Sequence, residues 1–110
     1  MPSPVKEFAA TVATGQTTSS EVDIADCLLL GVILPAEFDG TTLGFTVSTT
    51  TGGTFYTLRD GAGAAAVSYT VAASSYVALD PGLFAGVRYV KIVLGSQTGA
   101  TAAKLVCRPL

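Results

Sequence analysis

The sequence predicts an all-β fold, a sandwich or barrel of short antiparallel strands, and three observations carry that reading. Val, Thr, Tyr, Phe, Gly and Ser dominate the chain, and short apolar segments recur every eight to twelve residues between turn formers. No window holds the sustained 3.6-residue apolar stripe of an amphipathic helix. At 110 residues the chain is the size of one domain, which would bury roughly 65% of its unfolded surface.

Strands are predicted at residues 5–13, 27–35, 42–49, 54–59, 65–72, 74–79, 86–95 and 102–108. In the third of these Leu43, Phe45 and Val47 share one face, and Gly44, Thr46 and Ser48 the other, the period of two of a half-buried strand. In residues 88–94, Val90, Ile92 and Leu94 point inward, while Arg88, Tyr89 and Lys91 take outward or rim positions. The run "CLLLGVILP" is apolar on both faces, which predicts a central strand covered on its second side by a loop or a neighbouring subunit.

Glycines place the turns: "FDGTT", "TTGGT", "RDGAG" and "LGSQTGAT" supply the positive φ that tight connections need. In "LDPGLFAG" Pro81 fixes its own φ and holds Asp80 extended, which predicts a short helical turn between strands. In the Gly52-Gly53 hairpin Phe55 and Tyr56 alternate in face, so they form no joint platform, and one of the two is expected to join Phe45 in the core.

The composition is 49% hydrophobic and only 13% charged, about half the ~25% of an ordinary soluble domain. So few charges imply that part of the surface is covered by other subunits, because interface cores are depleted in charge. The net charge is -2, and the six basic residues are scattered, which excludes nucleic acid as a partner. The longest apolar run, about ten residues from Cys27, is half of what a membrane-spanning helix needs, so no membrane role is expected. The N-terminal residues lack the basic start and continuous apolar core of a secretion signal, which points to synthesis in the cytoplasm.

The residue inventory removes most chemistry. Without histidine the commonest general base is missing, and serine triads and histidine-ligated metals go with it. Cys27 and Cys107, without histidine, cannot complete a zinc site. Two buried reduced thiols are favoured; a bridge between them would stabilise the fold by roughly 4 kcal/mol in the chain-entropy model. "EVDIAD" places Glu21, Asp23 and Asp26 close together, but they lack the spacing of a calcium loop and read as a polar strand entry. "GAGAAA" lacks the lysine and strand-to-helix context of a phosphate loop and reads as a hairpin connection. The chain is therefore expected to be non-enzymatic, with no cofactor and no metal. The exposed aromatics a sugar platform needs are limited to tyrosines such as Tyr56 and Tyr76, which serve equally as cross-strand partners.

The succession "ILPAEFDGTTLGFTVSTTTGGTFYTLRD", "YVALDPGLFAGVRYVKIVLGS" and "AKLVCRPL", over about residues 30–110, resembles small virion proteins of tailed bacteriophages. The "GGTFY" hairpin also resembles galactose-binding-like sandwiches, from which this chain departs by lacking tryptophan and a calcium loop. The virion resemblance implies a jelly-roll β-sandwich without enzymatic activity, in one of two places. One is the capsid surface, as a decoration or cement protein bridging neighbouring major capsid subunits; the other is the tail or baseplate, as an accessory protein bound to a tail protein. A carbohydrate-binding sandwich is the reading from a different class. The implied assembly is a homo-oligomer, with a trimer favoured. Residues 1–12 are expected to hold an N-terminal arm and the first strand, and 13–110 the body of one domain. The arm nominated for strand addition to the shell is Met1 to Thr11, with Pro2, Pro4, Val5 and Lys6 as its contacts and Pro2 and Pro4 keeping it extended. Tyr56, Arg59 and Tyr76 are the candidate exposed interaction residues.

Overall fold

Among the described residues nine strands run antiparallel in two sheets. The structure, a computed structural model, describes residues 5–25, 27–50, 52–59, 66–84, 86–95 and 97–109. The strands are β1 (Lys6–Val12), β2 (Val22–Asp23), β3 (Cys27–Leu34), β4 (Thr42–Ser48), β5 (Tyr56–Thr57), β6 (Ser68–Thr70), β7 (Ser75–Ala78), β8 (Tyr89–Leu94) and β9 (Thr101–Pro109). A 3-10 turn, Pro81–Phe84, fills the place predicted for it between β7 and β8.

The first sheet has the order β1-β9-β3-β7 and the second β2-β8-β4-β5, with β6 beside β5 on the same edge of β4. If β5 and β6 count as one interrupted strand, the chain changes sheet at every connection except that from β4 to β5. That is the winding of a jelly roll.

The core sits where alternation puts it. From the first sheet come Val12, Leu29, Val32, Leu34 and Leu105, and from the second Leu43, Phe45, Val90, Ile92 and Leu94, all at most 2% exposed. Phe84, carried in by the 3-10 turn, meets Phe45 edge to face at 5.0 Å, and Tyr69 of β6 meets it from another side at 6.3 Å. Such pairs add about 0.5–1.5 kcal/mol beyond their buried area.

The strand β3 is central, between β9 and β7, as its two apolar faces predict. Its register slips once: Leu29 pairs Cys107 and Gly31 pairs Val106, which leaves Leu30 as a bulge and turns both Leu29 and Val32 inward. On the outer face Tyr76 of β7 lies over Gly31, where a Cβ would fall 2.5 Å from the phenol ring. A tyrosine from the neighbouring strand, rather than a loop, therefore covers this part of β3.

Several side chains depart from the expected pattern. Neither Phe55 nor Tyr56 joins Phe45: Phe84 and Tyr69 occupy its flanks, and Leu58 is the residue of this segment that is buried. Phe55 instead lies half-buried under Lys91, whose Nζ is 4.3 Å from the ring centroid, and Tyr56 is 66% exposed. Tyr89 is not at the rim but 6% exposed, held between Ser48 of β4 and Asp23 of β2 with the Arg88 guanidinium 5.2 Å from its ring. Ser48 is buried because its hydroxyl closes the end of β4, donating to Thr50 O and accepting from Thr50 N. The expected strands also omit β2, two residues long inside "EVDIAD", where Val22 and the following Ile24 are buried in the core.

Candidate functional site

The nominated arm is shorter than its sequence implied. Lys6 through Val12 are paired residue by residue with β9, Lys6 opposite Cys107, so Lys6 belongs to the sandwich. The reason is the alternation of Phe8, Ala10 and Val12, which seats this segment on the core. Val5 is 50% exposed at the start of β1. Pro2 and Pro4 lie outside the described residues. β1 is also an outer strand of its sheet, so one row of its backbone groups has no partner strand among the described residues.

Of the other nominated residues, Tyr76 is 54% exposed on the outer face of the first sheet, and Tyr56 stands on β5 of the second. The two tyrosines belong to different sheets and make no shared platform. Arg59 is exposed just beyond β5, where it forms an isolated bridge with Ala66. Asp26 and residues 61–65 of the "GAGAAA" connection lie outside the described residues. Asp23, the described acid at the centre of "EVDIAD", accepts from the Ala25 amide and pairs with Arg88 at 3.9 Å.

The outer faces of the two sheets carry different side chains. The first carries Leu28, Ile33 and Val106 beside Tyr76, with a Lys104–Glu7 ion pair at 3.4 Å across β9 and β1. The second is hollowed into a groove of about 410 Å³. Its floor is β4, whose outward residues Thr42, Gly44 and Thr46 leave a gap where Gly44 has no side chain. One wall is Val93 of β8 with Thr18, which bridges to it, and the other is Thr57 and Ser68 of β5 and β6. The Thr46 hydroxyl oxygen is buried there without a hydrogen-bond partner among the described residues. Sequence reasoning passed over this place because it assigned Gly44 and Thr46 only to the face away from the core; the small outward residues in "TLGFT" were the available signal.

One end of the sandwich is held by Gln97, 1% exposed. Its Oε1 accepts from Asp39 N and Thr101 Oγ1, and its Nε2 donates to Asp39 O and Gly95 O. Its backbone meanwhile pairs with Gly15 and Gln16, so the β1–β2, β3–β4 and β8–β9 connections are tied at one residue. Beside it Asp39 accepts from both the hydroxyl and the amide of Thr98, which hold its carboxyl below the usual range.

Both cysteines carry free thiols. They sit diagonally on neighbouring strands, Cys27 opposite Pro109 and Cys107 opposite Leu29. Burial, with the adjacent Cys27, pushes the Cys107 thiol up to about 12.

No family model and no curated protein matches the chain. Among solved structures, the chain is similar in fold to the SPBc2 prophage-derived protein YomS, with a TM-score of 0.61 at 18% identity, over 97% of this chain and 96% of that one.

Proposed function

We propose that this chain is a non-enzymatic structural protein of a bacteriophage virion, a decoration protein that stabilises the shell by binding across neighbouring major capsid subunits. The observation that carries the reading is the shared jelly roll: one sandwich, matched from end to end with a prophage-derived protein. The virion-like motifs between residues 30 and 110 and the low charge of the surface support it independently.

In this reading the contacts are residues 1–5, including Pro2, Pro4 and Val5, with the open edge of β1 beside them. A strand or loop of the shell adds to that edge through backbone hydrogen bonds. Tyr76, with the half-buried Leu28 and Ile33 of the same face, supplies buried area, and a trimer around a local symmetry axis brings several such edges to the shell together.

The test is attachment to expanded capsids. Removing residues 1–4 leaves β1 whole and is expected to abolish co-sedimentation, whereas removing 1–8 would also take Lys6–Phe8 out of the first sheet. Unchanged co-sedimentation of the shorter deletion overturns the arm. Copy number per virion tests the location: hundreds place the protein on the shell, and a handful would move it to the tail or baseplate.

A further inference from the structure

We infer that the groove on the outer face of the second sheet is a binding site for a neutral saccharide. The inference does not rest on attachment to a capsid; it rests on the shape and chemistry of one sheet face.

The outer face of a paired sheet is ordinarily filled by its own side chains, which stand perpendicular to it. Here the central outward position of β4 is Gly44, where an added Cβ would sit in ordinary van der Waals contact with Val67 O at 3.6 Å, the Val93 Cβ at 3.9 Å and Val93 O at 4.0 Å. The resulting hollow, about 410 Å³, lies in the lower part of the range of about 300–1,000 Å³ typical of small-molecule sites. Its described lining carries threonine and serine hydroxyls, among them Thr18, Thr46 and Ser68, around an apolar surface to which Phe45, Val67 and Leu94 contribute beside Val93.

This lining selects by chemistry. It includes no Lys, Arg, Asp or Glu among the described residues, so nothing there compensates the charge of a phosphate or a carboxylate. Lys91, on the same face, directs its ammonium to the Phe55 ring. A peptide strand is disfavoured as well. Gly44 is paired with Val93 on one side and Ser68 on the other, so the floor offers no free edge for strand addition. What fits is a compact, uncharged ligand with an apolar face for Val93 and hydroxyls of its own for the rim.

Thr46 supplies the second observation. Its Oγ1 is buried without a partner among the described residues, a state that costs free energy unless a partner arrives. Thr46 lines the groove, so a molecule seated there lies beside the residue that carries this hydroxyl. A sugar hydroxyl both donates and accepts, which matches a threonine hydroxyl in either direction.

The experiment is titration of the full, isotope-labelled protein with maltotriose, cellotriose, chitotriose and raffinose, each to millimolar concentration, followed by amide chemical shifts. At least one of the four is expected to move the amides of Gly44, Thr46 and Val93. Gly44→Val is expected to abolish those shifts, and Gly44→Ala, whose added Cβ makes only ordinary contacts, to weaken them. Thr46→Val is expected to weaken binding roughly tenfold, the value of one lost hydrogen bond. Tyr76→Ala, on the other sheet, is expected to leave the titration unchanged. The inference is overturned if none of the four sugars moves these amides, if the shifts survive Gly44→Val, or if they centre on Tyr76. It is equally overturned if Gly44→Val changes self-association or capsid attachment while the sugars have no effect, since the groove would then be a protein interface.

Discussion

Gln97 and Thr46 are both polar side chains set into an apolar sandwich, and they are treated in opposite ways. At the loop end every polar group of Gln97, side chain and backbone, is spent on a neighbour. On the outer face of the second sheet the Thr46 hydroxyl is spent on none among the described residues. A satisfied buried amide fixes geometry, because each bond it makes is worth little in net terms but costs much to break. An unsatisfied hydroxyl is a cost that the fold carries, and such costs gather where something else is meant to bind. The loop end is therefore the rigid frame, and the groove is the place held ready.

The sharpest way to break this contrast is Gln97→Leu. The substitution keeps the bulk and strands the Asp39 amide and two carbonyls, while the Thr101 hydroxyl keeps only Gly99 O, so a loss of about 3 kcal/mol is expected. Urea unfolding would show it as a lower midpoint at an unchanged slope. A loss below about 1 kcal/mol would mean that water replaces the amide without penalty, and the end would not be the frame argued here.

A third buried group extends the comparison to pH. The Cys107 thiol, pushed up to about 12 in the fold, stays neutral in alkali where the same thiol in the unfolded chain, near 9, has ionised. Its folded pKa is raised, so its contribution is fully present below pH 9 and is lost as pH rises from 9 to 12. The slope of that loss is about 1.4 kcal/mol per pH unit. Cys107→Ala is expected to flatten this part of the stability profile even though it lowers stability at neutral pH. Native Cys107 is expected to resist thiol reagents that label it at once in denaturant; rapid native labelling would contradict its burial.

Thr46→Val is the inverse of the Gln97 substitution. It exchanges an unpartnered hydroxyl for a methyl in a strand that favours valine, and a gain of about 1 kcal/mol is expected in the ligand-free protein. A loss of that size would show that the hydroxyl already has a partner in the free protein. Gains here and losses at Gln97 would together establish that the two regions are built for different purposes.

How far these features could be read in advance follows from their range along the chain. The faces of β4 and β8 were legible because alternation is local: Leu43, Phe45, Val90, Ile92 and Leu94 are buried as their spacing implies. Alternation tells which side a residue faces but not what covers that side. That is why Tyr89 and Ser48, assigned outward, are buried, and why Phe55 finds Lys91 instead of the core. The bulge at Leu30 resets the phase of β3, and an unbroken apolar run gives no hint of it. The order of the strands depends on pairings between residues as distant as Lys6 and Cys107, beyond the reach of any local pattern. The groove was hidden for the same reason, since Thr18, Gly44, Ser68 and Val93 meet only in the folded sheet. Gln97 was read as one polar residue of a glycine-rich turn, and nothing in "GSQTGAT" distinguishes it from a solvated one.

The smallest expected effect lies beside the frame, at Asp39. Its carboxylate accepts from the hydroxyl and the amide of Thr98, and these two donors lower its pKa in the folded state. A depressed folded pKa means that the stabilisation is present above the unfolded value of 3.8 and is lost as pH falls through the lower folded value. Because the carboxylate is exposed to solvent, the contribution is small and salt weakens it. Thr98→Ala is expected to return the Asp39 titration toward its ordinary position, read by the carboxyl carbon shift, and to remove a shallow step in stability below pH 4. It should leave the Gln97 bonds intact, because Gln97 holds the backbone of Asp39 and not its carboxylate. If Thr98→Ala destabilises at neutral pH as strongly as Gln97→Leu, the side-chain and backbone ties of this loop act as one unit, and the frame is wider than the single glutamine.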